Sequence, residues 1–277
     1  RGSNTVIAQI TADAIGVSIK NIDLVSPDTF LTPDCGKTSA SRQTYVTGKA
    51  AYNAGLKLRA EILRLSNMGN DSLITIEKNE IIISNQGKRQ KIDLSALQLI
   101  ENNYVIVAEE TYDPPTTSLD ENGQGIPYAV YGYGAQMAEI TVDTELGLLK
   151  IDKITAAHDL GKTINPLLAE GQIEGGIAQG IGFALMEEYI PSKTENLHDY
   201  LIPSIGDVPE IESILIEKND PEGPFGARGL GEHVLIPTAP AIMNALRNAT
   251  GAIITKLPAL PDRILEAIEI SKNGSNK

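Results

Sequence analysis

Tryptophan is absent from the 277 residues and phenylalanine occurs three times. No stacking platform for nucleic-acid bases is therefore evident. Basic residues are in deficit as well: 23 Lys and Arg against 36 Asp and Glu leave a net charge of −13, which argues against nonspecific binding to nucleic acid or to an anionic membrane. The single cysteine, Cys35, excludes an intrachain disulfide and a thiolate-held cluster and fits a reducing, cytoplasmic setting. No apolar run is long enough to span a bilayer, and no leader-like segment opens the sequence. Instead R-G-S-N-T runs straight into a helical pattern, as expected of a chain that starts inside a domain. No period of about 20–50 residues repeats. What remains is ordinary globular composition, 42% hydrophobic and 21% charged, with length for one large domain or two lobes.

Glycine and proline concentrate in G-P-F-G-A-R-G-L-G-E-H-V-L-I-P, residues 223–237. Gly226, Gly229 and Gly231 permit positive φ and close backbone approach to a ligand. The carboxylate Glu232 follows directly, and the apolar run from 234 predicts a helix to 248, closed by Gly251. Glu232 is then expected at a helix N-terminus, as a partner of the helix dipole or as a fixed functional carboxylate. A second stretch, C-G-K-T-S-A-S-R-Q-T (35–44), is dense in small and hydroxyl residues and enters a helix over about 43–65. It reads as a cradle for an anion or polar ring, or as a plain cap by Ser39 or Ser41.

A third stretch is the helix predicted over 165–188, started by Asn165 as N-cap and Pro166 at the first turn. Each of its glycines costs about 1 kcal/mol against alanine in an exposed helix. Gly171, Gly175, Ala178 and Gly182 form one small-residue stripe, on which something bulky is expected to press. Gln172, Gln179 and Phe183 share a neighbouring face, where a glutamine needs a polar partner.

The remaining pattern predicts a helix from Thr5 capped by Gly16, a strand at 22–25, a hairpin over 73–84 turning at Lys78-Asn79, a short helix at 96–100 and a strand at 105–107. Residues 111–127 read as a long loop. Tyr128, Tyr131 and Tyr133 follow among glycines as candidates to line a surface or cleft, with core packing favoured for at least two of them. Strands are expected at 138–142, 148–154 and 210–217, then a further strand and a last helix over 261–270. His158-Asp159 invites a catalytic reading, but no G-x-S-x-G pattern accompanies it, so a structural histidine at a strand end is favoured over a hydrolase triad. There is no dinucleotide or P-loop glycine signature. The fold class is α+β, as two lobes facing a cleft.

Together these motifs resemble the molybdenum-cofactor-binding domain of the xanthine dehydrogenase and aldehyde oxidase family. T-S-A-S-R-Q-T (38–44) is similar to the family segment that holds the pterin. E-G-Q-I-E-G-G-I-A-Q-G-I-G (170–182) is similar to its glycine-rich helix, and G-A-R-G-L-G-E (226–232) to its G-x-K-G-x-G-E loop. H-D-L-G-K-T-I-N-P (158–166) and D-Y-L-I-P (199–203) also follow family patterns. The likeness covers nearly the whole chain, most weakly over 68–127. It departs at three places. Arg1 stands where the family's G-Q-G-x-x-T opening has glutamine, Arg228 replaces lysine, and Cys35 replaces a small residue.

The resemblance implies a two-lobed molybdenum-cofactor-binding domain with mixed sheets and long glycine-rich helices. The first lobe is 1–134, with a pterin-contacting loop at 35–44 and a variable insert at 68–127. The second is 135–277, with the glycine-rich helix at 165–188 and the active-site loop at 223–232. It implies cofactor contacts from Thr38, Ser39, Ala40, Ser41, Arg42, Gln179, Gly180, Gly229 and Gly231, with no protein ligand to the metal, because the pterin dithiolene holds it. The implied reaction is oxidative hydroxylation of an electron-poor carbon, in an N-heterocycle or aldehyde, by a molybdenum-bound hydroxide. Glu232 is its general base, as a desolvated carboxylate is suited to be. The cofactor is molybdenum-molybdopterin, with the cytosine dinucleotide as a candidate form. Fe-S and FAD are expected on partner chains, as is the family's other molybdopterin lobe; the chain resembles either a fragment or the smaller half of a split molybdopterin subunit, as in some nicotinate-dehydrogenase-like enzymes. A noncatalytic assembly subunit that kept the fold without cofactor is the alternative.

Overall fold

A computed structural model of the chain describes residues 2–100 and 103–274. Arg1, singled out above at the altered glycine-rich opening, lies outside the described residues. The chain divides into two compact units, residues 2–131 with 219–229, and residues 132–218 with those from 230 onward. The first boundary therefore falls at 131/132, and the passage 219–229 belongs with the earlier residues.

In the first unit, α1 (Ser3–Ile15) ends on left-handed Gly16, φ 83°, whose N–H donates to Ala12 O, as a glycine C-cap does. Residues Gln43–Thr47 form one π turn leading into α2 (Gly48–Ser66). Arg59 of α2 donates to Ile15 O at the end of α1 (2.8 Å) and to Ser72 O (2.6 Å). One guanidinium thus satisfies a helix-end carbonyl and fixes the chain that enters the sheet. That sheet is antiparallel, β1 (Leu73–Glu77), β2 (Glu80–Asn85) and β3 (Lys88–Asp93) in sequence order. The expected hairpin turn is present, with Lys78 at φ 54°. Strand β3, K-R-Q-K-I-D, has no apolar alternation, so its pairing with β2 supplies what its sequence does not signal. Ile15, Ile62, Leu63, Ile74, Ile81, Ile83 and Ile92 close the core, each burial stabilising by roughly 1.5–3 kcal/mol.

Three expectations for this unit differ. Residues 22–25 and 105–107 form no strand, and the helix expected at 96–100 shrinks to a single 3-10 turn, Leu94–Ala96. The two strand candidates are three and four residues long and pair with no other strand among the described residues. Tyr128 and Tyr131 are exposed and meet edge to face at 6.1 Å, and Tyr133 in the second unit is exposed too; none of the three is a core tyrosine.

In the second unit, β4 (Tyr133–Asp143) and β5 (Leu148–Asp159) pair antiparallel, and β6 (Glu210–Ile216) joins β5 in parallel. This mixed sheet is what a β5–α3–β6 crossover requires, with α3 at Pro166–Leu185. Asn165 caps α3 by accepting from Leu168 N–H at 3.1 Å. Ile154, Ile173, Ile177, Ile181, Val234 and Ile242 are fully or almost fully buried between sheet and helices. Helices α4 (Thr238–Thr250) and α5 (Pro261–Gly274) complete the unit, and no strand forms over 252–260. The strands β4 and β5 run longer than the sequence suggests, because ladder bonds carry them past the apolar stretch, to Tyr133 and Asp159.

Candidate functional site

The helix after Glu232 starts at Thr238, not at 234, and 231–237 is a run of turns. Pro237 accounts for part of this, since it has no N–H to donate, and the helical ladder begins only after it. Glu232 is therefore not at a helix N-terminus but six residues before one, and it is exposed. Its segment is held from α3, where Gln172 Nε2 donates to Gly231 O at 2.8 Å. Gln172 is thus the glutamine of the glycine-rich helix that finds a backbone partner. Gln179 lies on an exposed part of the helix surface instead.

The pressure on α3 also falls elsewhere than the stripe predicts. A Cβ on Gly171 or Gly175 would meet nothing within 4 Å. On Gly176 it would lie 2.2 Å from Val234 Cγ2, and on Gly180 2.4 Å from Thr238 Cβ. These two pressed glycines of α3 are one turn apart, facing the turns before α4 and its first residue. Of the three glycines in the expected stripe, Gly182 is the one that is pressed, by Glu187 and Pro203.

In the first unit, T-S-A-S-R-Q-T forms a tight turn. Arg42 N–H donates to Ser39 O at 3.2 Å, and both central residues are left-handed, Ala40 at φ 52° and Ser41 at φ 51°. Glycine and asparagine are the usual residues in such a primed turn; alanine and serine there carry strain of roughly 1–2 kcal/mol each. Strain of that kind gathers at ligand clamps and active sites. Thr38, Ser39 and Ala40 are exposed. Arg42 turns inward on its own loop, donating to the carbonyls of Cys35 and Lys37. The Thr38 hydroxyl accepts from Gln43 Nε2 at 3.2 Å.

The loop 219–229 reaches this turn. A Cβ on Gly229 would lie 2.1 Å from Ser41 O, so only glycine allows the approach. Asp220 pins the loop. Its Oδ1 accepts from Glu222 N–H at 3.0 Å and from the Tyr45 hydroxyl at 3.3 Å, and Arg228 Nε lies 3.4 Å from its Oδ2, with both charged side chains nearly buried. Burial first, and then the Asp220 charge, raise the Tyr45 hydroxyl well above the ordinary tyrosine range, so it stays protonated and donating.

Two further groups come together that motif reading passes over. His158 is fully buried, with its ring 5.1 Å from that of His233. Gln136 joins them, its Nε2 donating to Val234 O at 2.7 Å and lying 3.2 Å from His158 Nε2. The available signal is the Gly132 and Gly134 pair in Y-G-Y-G-A-Q: one glycine just before β4 and one on it leave room for the two large side chains.

Hydroxyls, exposed backbone and glycines without room for a Cβ are donors and surfaces suited to a polar heterocycle. Among the described residues no group of three or more His, Cys, Asp or Glu could hold a metal ion. A metal at this donor set would arrive on its own organic ligand, so the residues fit a pterin that carries its metal. Among the same residues no helix is long and apolar enough to cross a membrane.

Comparison with known proteins agrees. The model of the molybdopterin cofactor-binding domain family matches residues 1–209. The xanthine dehydrogenase molybdenum-binding subunit of Escherichia coli O157:H7 is 34% identical over 98% of this chain, which spans 36% of that protein. The aldehyde oxidoreductase of Megalodesulfovibrio gigas is 33% identical over 92% of this chain and 26% of its own length. The crystal structure of the aldehyde oxidoreductase from Desulfovibrio desulfuricans superposes with a TM-score of 0.77 at 31% identity, over 95% of this chain and 27% of that one. The chain thus spans about a third of the curated relatives it matches. With an α+β fold that superposes on a solved relative and a family model matching most of its length, the chain belongs to the molybdopterin cofactor-binding domain family of the xanthine dehydrogenase and aldehyde oxidoreductase type.

Proposed function

We propose that the chain is the molybdopterin-binding part of a molybdenum hydroxylase acting on an electron-poor carbon of an N-heterocycle or an aldehyde. The observation that carries this is the strained Ser39–Arg42 turn closed against Gly229. It joins two motifs far apart in sequence, and strain held in place by packing points to a ligand. Thr38, Ser39, Ala40 and Ser41 would hold the pterin by hydroxyl and peptide N–H groups, with Arg42 keeping the loop in shape. Gly229 and Gly231 let the backbone come close. Gln179 offers an exposed amide and Gly180 sets the helix around it.

When bound, the molybdenum cofactor supplies the oxygen-transfer and two-electron chemistry. Glu232 accepts the proton of the attacking oxygen on a carboxylate oxygen. Fe-S and FAD groups on partner chains would take up the electrons, and the remaining molybdopterin lobe would come from another partner. The cytosine dinucleotide form of the pterin and a cytoplasmic setting complete the reading.

The test is compositional. The chain is purified with whatever chains co-elute from its source, and molybdenum and pterin per chain are measured by mass spectrometry. Near-stoichiometric amounts, lost in Gly229→Val, are the expected result. An intact folded complex without molybdenum would contradict the proposal and favour a noncatalytic assembly subunit.

A further inference from the structure

Glu232 sits in a run of turns, yet its backbone is fixed from two sides. Gln172 of α3 donates to Gly231 O, immediately before it, at 2.8 Å. Gln136 of β4 donates to Val234 O, two residues after it, at 2.7 Å. A carbonyl only accepts, so the Val234 contact decides which end of the Gln136 amide is nitrogen. The opposite end agrees, since Oε1 accepts from the Thr238 hydroxyl at 2.8 Å. The second N–H of Gln136 then points at His158 Nε2, 3.2 Å away. With a donor facing it that nitrogen accepts, and a neutral imidazole then carries its proton on Nδ1, a buried atom with no hydrogen-bond partner of its own.

The His233 ring lies beside that of His158 at 55° between planes. Both rings occupy space that strand β4 leaves open. A Cβ on Gly132 would lie 2.6 Å from His233 Nδ1, and one on Gly134 2.3 Å from His158 Nδ1. Gly134 and Gln136 alternate along β4 and so share one face, and Gly132 lies just before the strand. Two small residues make the room and the third makes the contacts.

We propose that Gln136 and Gln172 are positioning residues for Glu232, gripping the backbone on either side of it, with the His158 ring locking the Gln136 amide. The proposal rests on the reading of Glu232 as general base. A base misplaced by about an ångström can lose on the order of a hundredfold in rate while substrate binding is unchanged.

The experiment uses the assembled multichain enzyme. Gln172→Leu and Gln136→Leu keep side-chain size and remove the donor, and Glu232→Gln is measured beside them. Gln172 is partly exposed, so its variant tests the idea even where the change at Gln136 disturbs folding. The expected result is a kcat lowered about 10- to 100-fold with KM within about threefold. Hydrogen exchange should be faster across 230–237 and unchanged in the rest of α3, at unchanged molybdenum content. Wild-type kcat and wild-type exchange in Gln172→Leu would overturn the proposal, even where Glu232→Gln abolishes turnover. Should Glu232→Gln turn over normally, the base reading fails instead, and exchange at 230–237 alone decides whether the two glutamines hold the segment.

Discussion

Ala40 and Ser41 hold left-handed backbone that neither residue prefers. Ala40→Gly relieves about 1–2 kcal/mol of strain and gives back up to about 1 in chain entropy. A net gain of roughly 0.5–1 kcal/mol is expected, seen as a slightly higher Tm; an unchanged or lower Tm would mean that the turn is not strained. At His158, burial first and then the neighbouring His233 push the imidazole down to about 4. Burial also lowers His233, opposed by the charge of Asp159. In the unfolded chain both take protons near pH 6.5. Between about pH 6.5 and 4 the unfolded state therefore binds more protons, so this contribution to stability is complete above 6.5 and is lost as pH falls. The midpoint of urea unfolding, followed against pH, should drop across that window, and His158→Gln should drop less steeply.

Among the elements, α3 gives the sharpest contrast. Gly171→Ala and Gly175→Ala add a methyl to open space and should each stabilise the isolated chain by about 1 kcal/mol through helix propensity. Gly176→Ala and Gly180→Ala force Val234 or Thr238 aside and should cost about 1–3 kcal/mol. Thermal or denaturant unfolding of the four variants checks both signs. The loop 219–229 depends on the nearly buried Arg228–Asp220 pair, so Asp220→Ala should cost about 3–5 kcal/mol by stranding a charge.

The same elements show what sequence makes legible. Asn165-Pro166 announces α3 because capping is local, and Lys78-Asn79 announces its hairpin for the same reason. The start of α4 misleads, since V-L-I reads as helix until Pro237 is weighed. Strand β3 carries no apolar alternation and becomes a strand through β2 alone. The face of α3 under pressure is invisible too, because Val234 and Thr238 meet it only in three dimensions.

For the molecule as a whole, family membership was legible because three motifs, two of them glycine-rich, kept their order and most of their residues. The passage 219–229 packs with residues far earlier in the chain, which no boundary drawn along the sequence anticipates. The Gln136, His158 and His233 cluster was hidden for a similar reason: its members lie on β4, on β5 and in the loop before α4. The chain supplies about a third of its relatives' length, so its chemistry is to be measured in the assembled complex. There, the most direct measurement is the turnover of Glu232→Gln at full molybdenum content. A general base contributes about 10²- to 10⁴-fold, and a loss of that size in kcat is expected. Turnover within a few-fold of wild type, with the cofactor fully loaded, would contradict the role of Glu232.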